Sequence, residues 1–160
     1  MTPDKEIAKV LRKLEYGVYV VTMGQGNDGN AFTASWISQV SSEPPMIVLA
    51  VHNKHQSSRL LQQRPAFVVN LIPATDMEVA KTYYGPAESG YHKLKDARVT
   101  NSPATGSPIL NGAAGYLDCK VVKQVPAGNH TLFIAEVRAA QSDGDRPVLT
   151  TSASNMHYMG

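Results

Sequence analysis

Two short stretches carry the residue types that could do chemistry. The first is Thr33-Ala34-Ser35-Trp36, reached through Asn30-Ala31-Phe32. Small side chains let strand backbone approach the edge of a flat, uncharged ring, and Thr33 and Ser35 add two hydroxyls. The second stretch begins at Val51 and His52, where the apolar run Met46 to Val51 ends, and continues through Asn53-Lys54-His55-Gln56-Ser57-Ser58-Arg59. Lys54, Ser57, Ser58 and Arg59 fall within six residues at a strand end or helix start, where convergent donors can hold a phosphate. Joined by one strand, the two stretches offer partners to both halves of an amphipathic cofactor, a ring and a phosphorylated tail. A flavin has that shape.

The same side chains have plainer roles open to them. Thr33, Ser35, Ser38, Ser41 and Ser42 alternate with apolar positions, as the solvent face of an edge strand would. Trp36 suits a core, an interface or a cofactor stack. Lys54 and Arg59, taken singly, are ordinary solvated charges. His52 and His55 stand at i, i+3, but further ligands of suitable geometry are not evident, so no metal is expected. Cys119, between Asp118 and Lys120 in a strand pattern, reads as a small buried hydrophobe rather than a nucleophile. Lys93 and Lys95 are candidates for a dinucleotide's phosphates, although a solvated loop is the simpler reading. The segment Ser154-Asn155-Met156-His157-Tyr158-Met159 carries apolar residues where chain is usually polar, which points to docking over a site or a partner subunit.

Composition limits the classes available. At 160 residues with 42% hydrophobic content, the chain can form one domain over residues 1–160 with a real core. A formal charge of +2, with cations scattered among acids, implies neither nucleic acid nor an anionic membrane surface. The single cysteine fits a reducing compartment. No apolar stretch approaches the ~20 residues of a membrane span, and the first residues lack the hydrophobic run of a signal peptide. The expectation is a cytoplasmic protein.

The elements that must position the two stretches follow from periodicity. Pro3 to Leu14 reads as an amphipathic helix, with Ile7, Val10, Leu11 and Leu14 on one face and a cap at Thr2-Pro3. Strands are expected at Gly17 to Thr22, Asn30 to Val40, Met46 to Val51, Ala66 to Ile72, Gly115 to Gln124 and His130 to Ala140. A short helix from Ser57 to Arg64 stops at Pro65. Another starts at Thr75, where Thr75 and Glu78 match a capping box, and ends at Gly85-Pro86. From there to Gly112 periodicity is weak, and a long surface excursion is expected. Gly24-Gln25-Gly26-Asn27-Asp28-Gly29 spells a dinucleotide fingerprint, but strand character follows the glycines where that fingerprint needs a helix, so a hairpin loop is the better reading. Many strands with short turns predict a mainly β antiparallel barrel with flanking helices.

Taken in order, Gly17-Val18-Tyr19-Val20-Val21-Thr22, Ala31-Phe32-Thr33-Ala34-Ser35, Ser41 to Pro45, Phe67-Val68-Val69-Asn70-Leu71 and Gly128-Asn129-His130-Thr131-Leu132-Phe133-Ile134-Ala135-Glu136-Val137 resemble the flavin reductase-like family of FMN-binding split barrels. The likeness spans roughly residues 8 to 150. Members include reductase components of two-component monooxygenases, flavoredoxins, and the C-terminal reductase module of some flavodiiron proteins. The resemblance implies a six-stranded Greek-key split barrel, a homodimer, and FMN with FAD as the alternative. It matches Thr33, Ala34, Ser35 and Trp36 to the segment along the isoalloxazine, Val51 and His52 to the strand end near it, and Lys54 and Ser57 to the phosphate. It sets His130, otherwise a partly exposed histidine opening a strand, beside the nicotinamide or the flavin as an orienting or hydrogen-bonding group and so the candidate catalytic residue, although Asn129 stands where members have an aspartate.

The function implied is hydride transfer from NADH or NADPH to the flavin, with electrons passed to an external acceptor, which could be a protein. Such chemistry needs stacked rings and excluded water more than a strong acid or base, in keeping with the lack of a triad or paired carboxylates. The rival readings are a flavoredoxin-like electron carrier reduced by a protein partner, a flavin-free split-barrel binding module, and the pyridoxamine-phosphate oxidase branch of similar barrels.

Overall fold

The computed structural model describes residues 4–25, 29–85, 93–94 and 97–160. Nine strands and four helices alternate along the described chain: α1 (Lys5–Leu11), β1 (Tyr19–Met23), β2 (Asn30–Ala34), β3 (Ile37–Ser42), β4 (Pro45–His52), α2 (Gln56–Gln63), β5 (Ala66–Leu71), α3 (Met77–Thr82), β6 (Val99–Asn101), β7 (Pro108–Leu110), β8 (Gly115–Ala127), β9 (His130–Ser142) and α4 (Thr151–Ser154). Seven strands form one sheet in the order β2-β1-β5-β8-β9-β4-β3, and every pairing is antiparallel.

The mainly β antiparallel fold expected from periodicity is present, but the sheet has seven strands rather than six. Asn30 to Val40 is two strands, broken at Ser35-Trp36. These two strands occupy opposite edges of the sheet. With only two residues between Ala34 and Ile37, the edges cannot lie more than about 11 Å apart at that point. The sheet must therefore curl until its edges meet, which makes it a barrel split along the β2/β3 seam.

Hydrophobic alternation fills both faces. Inside lie Val21, Met23, Leu49, Val51, Phe67, Val69, Cys119, Phe133 and Ala135, with Leu61 of α2. A second cluster of Val18, Val20, Ala31, Ile72, Ala80, Tyr83, Leu94, Leu110 and Leu149 packs on the outer face under α3. β1 is thus buried on both sides, which explains its near-continuous apolar run. Cys119 is a fully buried core residue, its thiol pushed up to about 12 by burial and then by the Asp118 charge.

Several local expectations need correction. α1 is capped by Asp4, whose carboxylate accepts from the Glu6 N–H, and it ends at Leu11; Thr2-Pro3 lies outside the described residues. Of the expected stripe, Ile7, Val10 and Leu11 lie on α1 and Leu14 beyond its end, all 50–60% exposed. α3 begins at Met77 after Asp76, and the Thr75 hydroxyl meets the Asp76 carboxylate instead of capping the helix. Within the expected surface excursion, β6 and β7 form a two-stranded hairpin. The glycine-rich loop joins the antiparallel pair β1/β2 and leads into a strand, as the hairpin reading requires; residues 26–28 lie outside the described part.

The β6/β7 hairpin is held to the barrel by polar side chains. Asn70, fully buried, donates to the Val20 carbonyl and the Thr22 hydroxyl at 2.9 Å each and accepts from the Leu110 N–H at 2.9 Å. Thr22 in turn donates to the Pro108 carbonyl. Replacing Asn70 with Leu would bury an unpaired acceptor and an unpaired donor, each costing about 1–3 kcal/mol. We expect Asn70→Leu to lower unfolding free energy by about 3 kcal/mol in urea titration; a loss below about 1 kcal/mol would show that the network is not limiting.

Candidate functional site

One end of the barrel gathers the candidate residues. The two-residue hairpin Gly128-Asn129, with φ +59° at Gly128 as a glycine-first turn requires, sets the start of β9 beside the end of β4. His52 and His130 are register partners there. Asn53 locks the corner: its N–H donates to the Asn129 carbonyl at 2.9 Å, and its side-chain oxygen accepts from the Thr131 hydroxyl at 2.7 Å. The seam residues Ser35 and Trp36 lie alongside, because the Ala50 N–H donates to the Trp36 carbonyl at 3.1 Å. On the far side the Thr33 N–H donates to the Tyr83 carbonyl at 3.2 Å, which fastens β2 to the exit of α3.

Between these elements runs a cleft of about 400 Å³ lined by Asn30, Phe32, Thr33, Lys54, Ser57 and Arg59 on one side and Tyr83, Tyr84, Gly85 and Lys93 on the other. None of its lining residues among the described ones is a carboxylate. α2 opens into the cleft after His55, which offers no side-chain cap, so the helix's N-terminal dipole is unopposed by its own sequence. Ser57, 3% exposed, accepts from the Asn30 amide at 3.1 Å. Lys93 is not a freely solvated cation: Nζ donates to the Gly85 and Tyr83 carbonyls at 2.6 and 3.3 Å, and burial lowers its pKa. Lys95 lies outside the described residues.

A second, narrower space of about 20 Å³ continues along Ala34, Ser35, Trp36, Ala50, Val51 and His52. Thr33, Phe32, His55 and Tyr158 border both spaces. All nine residues picked out by sequence therefore converge, in two groups: Lys54, Ser57 and Thr33 at the cationic cleft, and Thr33, Ala34, Ser35, Trp36, Val51, His52 and His130 around the narrow slot. Two contribute differently from expectation. The Thr33 hydroxyl donates to the Ala80 carbonyl at 2.5 Å, and Val51 is a core side chain, 1% exposed, that borders the slot from inside.

Around the slot the rings form a cluster. Trp36 lies 4.9 Å from His130 and 4.7 Å from Tyr158 between centroids, His130 lies 5.1 Å from His52, and His52 stacks on His55 at 5.7 Å. Asn129 Oδ1 can only accept, so His130 Nδ1 carries the proton at 2.6 Å, leaving Nε2 to accept from the Tyr158 hydroxyl at 2.8 Å. His52 Nδ1 accepts from the Lys54 N–H at 3.1 Å. No group of three His, Cys, Asp or Glu among the described residues could hold a metal. Asn30 and Tyr158 carry the two contacts that residue type did not single out. Asn30 looks like a turn residue after glycines, whereas Tyr158 was foreshadowed by its apolar segment.

The fold and this cleft define a class, a curled antiparallel barrel with a cation-lined, aromatic-walled groove at one end. More narrowly, the chain belongs to the flavin reductase like domain family, which it matches over residues 11–159. It is 30% identical over 135 residues to an NADH:FMN oxidoreductase of Rhodococcus qingshengii, covering 84% of this chain and 69% of that one. It is 27% identical over 148 residues to diflavin flavoprotein A 1 of Synechocystis sp., covering 88% of this chain but 25% of the relative. The chain spans about a quarter of the length of the diflavin flavoproteins it matches. The solved NADH:FAD oxidoreductase of Streptomyces globisporus superposes with a TM-score of 0.86 over 100% of this chain and 97% of that one, at 23% identity, which shows the shared fold. No helix among the described residues is long and apolar enough to cross a membrane.

Burial lowers the pKa of both His55 and His130; next in order come His52 and Lys93 for the former, and His52 and His55 for the latter. A histidine whose folded pKa lies under its unfolded value, about 6.5, lets the unfolded chain take up protons first. Its contribution to stability is complete above that value and is lost as pH falls through the window beneath it. Acidification from about pH 7 to about pH 5 should therefore lower Tm more for the wild type than for a His55→Gln/His130→Gln variant. Equal slopes would remove the two imidazoles from the acid sensitivity.

Proposed function

We propose that this protein is a flavin reductase, which binds FMN or FAD, accepts hydride onto it from NADH or NADPH, and passes electrons to an external acceptor. The observation that carries this reading is the single cleft with cations and a bare helix N-terminus at one end and a neutral, aromatic slot of small residues at the other. A phosphorylated tail suits the first and a planar heterocycle the second. The bound flavin would supply the redox chemistry itself.

The chain's own residues then hold, orient and dry the site. Lys54, Arg59 and the Ser57 hydroxyl would meet the phosphate, with α2's first N–H groups behind them. Ala34, Ser35 and Val51 are small enough to let a ring edge approach the seam backbone, while Phe32 and Trp36 wall off water. His130, whose pKa burial lowers, offers a fixed hydrogen-bonding edge rather than charge to whichever ring lies beside it, with the His52 ring packed edge-on against it.

A second reading has support in the relatives. The likeness to a quarter of longer diflavin flavoproteins fits a flavin module that exchanges electrons with another domain or protein rather than directly with a pyridine nucleotide. Stopped-flow mixing of the flavin-loaded protein with NADH and NADPH separates the two: prompt bleaching is expected, and none with either nucleotide would leave the carrier reading standing. If the purified protein takes up neither FMN nor FAD, judged by its visible spectrum after removal of free flavin, both fail and the binding-module reading remains. Within the reductase reading, Lys54→Ala should weaken FMN about tenfold or more, the equivalent of one charge-assisted hydrogen bond, and riboflavin less than twofold. Equal losses would take Lys54 away from the phosphate.

The assembly we infer is a homodimer. α1 presents Ile7, Val10 and Leu11 to solvent and the turn after it adds Leu14, exposed apolar residues of the kind that mark an interface. Leu11→Asp is expected to shift the protein from dimer to monomer mass in light scattering, and a wild type that already runs as a monomer would refute the assembly. The unpaired thiol of Cys119 suits the cytoplasm as the compartment.

A further inference from the structure

The two halves of the cleft differ in one respect that residue types alone do not explain. The tail end has room for a ligand, about 400 Å³, whereas the slot along Thr33 to Trp36 holds about 20 Å³, little more than one water needs. A planar tricycle cannot enter it as it stands. Of the four described residues that border both spaces, Phe32, Thr33, His55 and Tyr158, Tyr158 is the one carried by the terminal segment rather than by β2 or the β4–α2 corner.

Tyr158 is held there by site residues. Its ring packs edge-on to Trp36 at 4.7 Å and to His130 at 5.8 Å, and its hydroxyl donates to His130 Nε2 at 2.8 Å. The base of the same segment is fixed independently. The Thr151 N–H donates to the Tyr16 carbonyl at 2.8 Å, the Thr151 hydroxyl to Glu15 at 3.0 Å, and the Met156 N–H to the Ser154 hydroxyl at 3.2 Å, while Met156 packs on the outer core. Between α4 and Met156 stands Asn155 at φ +55°, a left-handed turn that redirects the chain toward the slot. The segment thus has an anchored root and a tip whose polar and aromatic partners are Trp36 and His130.

We propose that Tyr158 is a tethered plug that fills the ring half of the site and must withdraw, pivoting about residues 155–157, before a flavin ring can lie along Thr33–Trp36. This inference rests on the flavin reading and says what competes with the flavin for its slot. Apparent affinity for a ring ligand is then the intrinsic affinity reduced by the fraction of molecules with the plug withdrawn. The plug acts on the ring and not on the phosphate, so riboflavin and FMN should be affected by the same factor, unlike the effect of removing Lys54.

Trp36 is the chain's single tryptophan, so its emission reports the slot with or without flavin. In Tyr158→Ala, acrylamide quenching of Trp36 should at least double, and the affinity for riboflavin should rise about tenfold, equivalent to about 1.4 kcal/mol. Tyr158→Phe, which keeps the ring and loses the bond to His130, should fall between the two proteins, with Tm confirming that both variants are folded. Quenching that does not change would show that Tyr158 does not cover Trp36 in solution and would overturn the proposal. So would riboflavin affinity that is unchanged or weaker in Tyr158→Ala while wild type binds flavin, since Tyr158 would then be a bystander or a partner of the ring. Failure of wild type and variants alike to bind any flavin would instead bring down the flavin reading, and the plug's role with it.

Discussion

The constraint on which the rest depends is the two-residue link Ser35-Trp36 between the outermost strands of the sheet. A twisted antiparallel sheet of seven strands could stay open, but a chain that leaves one edge and enters the other after two peptides cannot let it. At the seam the backbone finds local partners: the Ile37 N–H donates to the Ser35 carbonyl, and the Trp36 carbonyl accepts from the Ala50 N–H. The middle of the interior is filled by Phe67, Phe133, Leu49 and Leu61, each fully buried, and a cavity of about 280 Å³ remains among Tyr19, Ile37, Ile47, Val69, Leu71, Leu117 and Val137 of the inner cluster. A ligand against the seam would lie outside the barrel, along the narrow space bordered by Ala34, Ser35 and Trp36. The same link therefore closes the fold and locates the site.

Charge is sorted along that site rather than spread over it. Lys54, Arg59 and Lys93 border the wide end without a carboxylate among the described lining residues, and the bare N-terminus of α2 adds partial positive charge there. At the narrow end the ionisable groups are imidazoles and phenols, and burial pushes His55, His130 and Tyr158 toward their neutral forms. A net charge of only +2 conceals this polarity, because it comes from placement and not from composition. The Asp118 carboxylate, wholly buried, is kept away from the cleft by work elsewhere: it accepts from the Ala104 and Thr105 N–H groups at 2.8 and 3.2 Å and from the Thr105 hydroxyl at 2.5 Å.

What was legible in the sequence was local. A near-continuous β-branched run marked β1, whose two faces meet two different cores, and donors clustered after an apolar strand marked Lys54 and Ser57. Asn30 to Val40 read as one strand because alternation of polar and apolar residues continues through Ser35 and Trp36; period alone does not register a change of sheet edge. β6 and β7 were missed since Val99, Thr100 and Asn101 are all exposed, leaving no alternation to detect. Thr75 and Glu78 had the right spacing for a capping box, yet Asp76 lies between the pattern and the helix that formed. α1's stripe was seen correctly as amphipathic, but periodicity cannot say whether the covering surface is the chain's own core. Tyr158 stood out only as an apolar residue in a terminal segment, because its partners, 28 and 122 positions away in sequence, are chosen by tertiary structure.

Asn129 shows how one atom can set the chemistry of this slot. An aspartate there would pair with His130 and favour the imidazolium, adding a carboxylate beside the ring as well. The asparagine oxygen accepts the same Nδ1 proton at 2.6 Å and fixes the same ring orientation, but brings no charge with it. With His52 and His55 also facing it and burial acting in the same sense, His130 remains neutral below the usual histidine range. Its Nε2 is then an acceptor, which is why the phenol of Tyr158 donates to it and is not merely stacked nearby. An acceptor at that position serves equally for an N–H on an incoming ring, so the bond that secures the tyrosine is one that a heterocycle could replace as the tyrosine leaves.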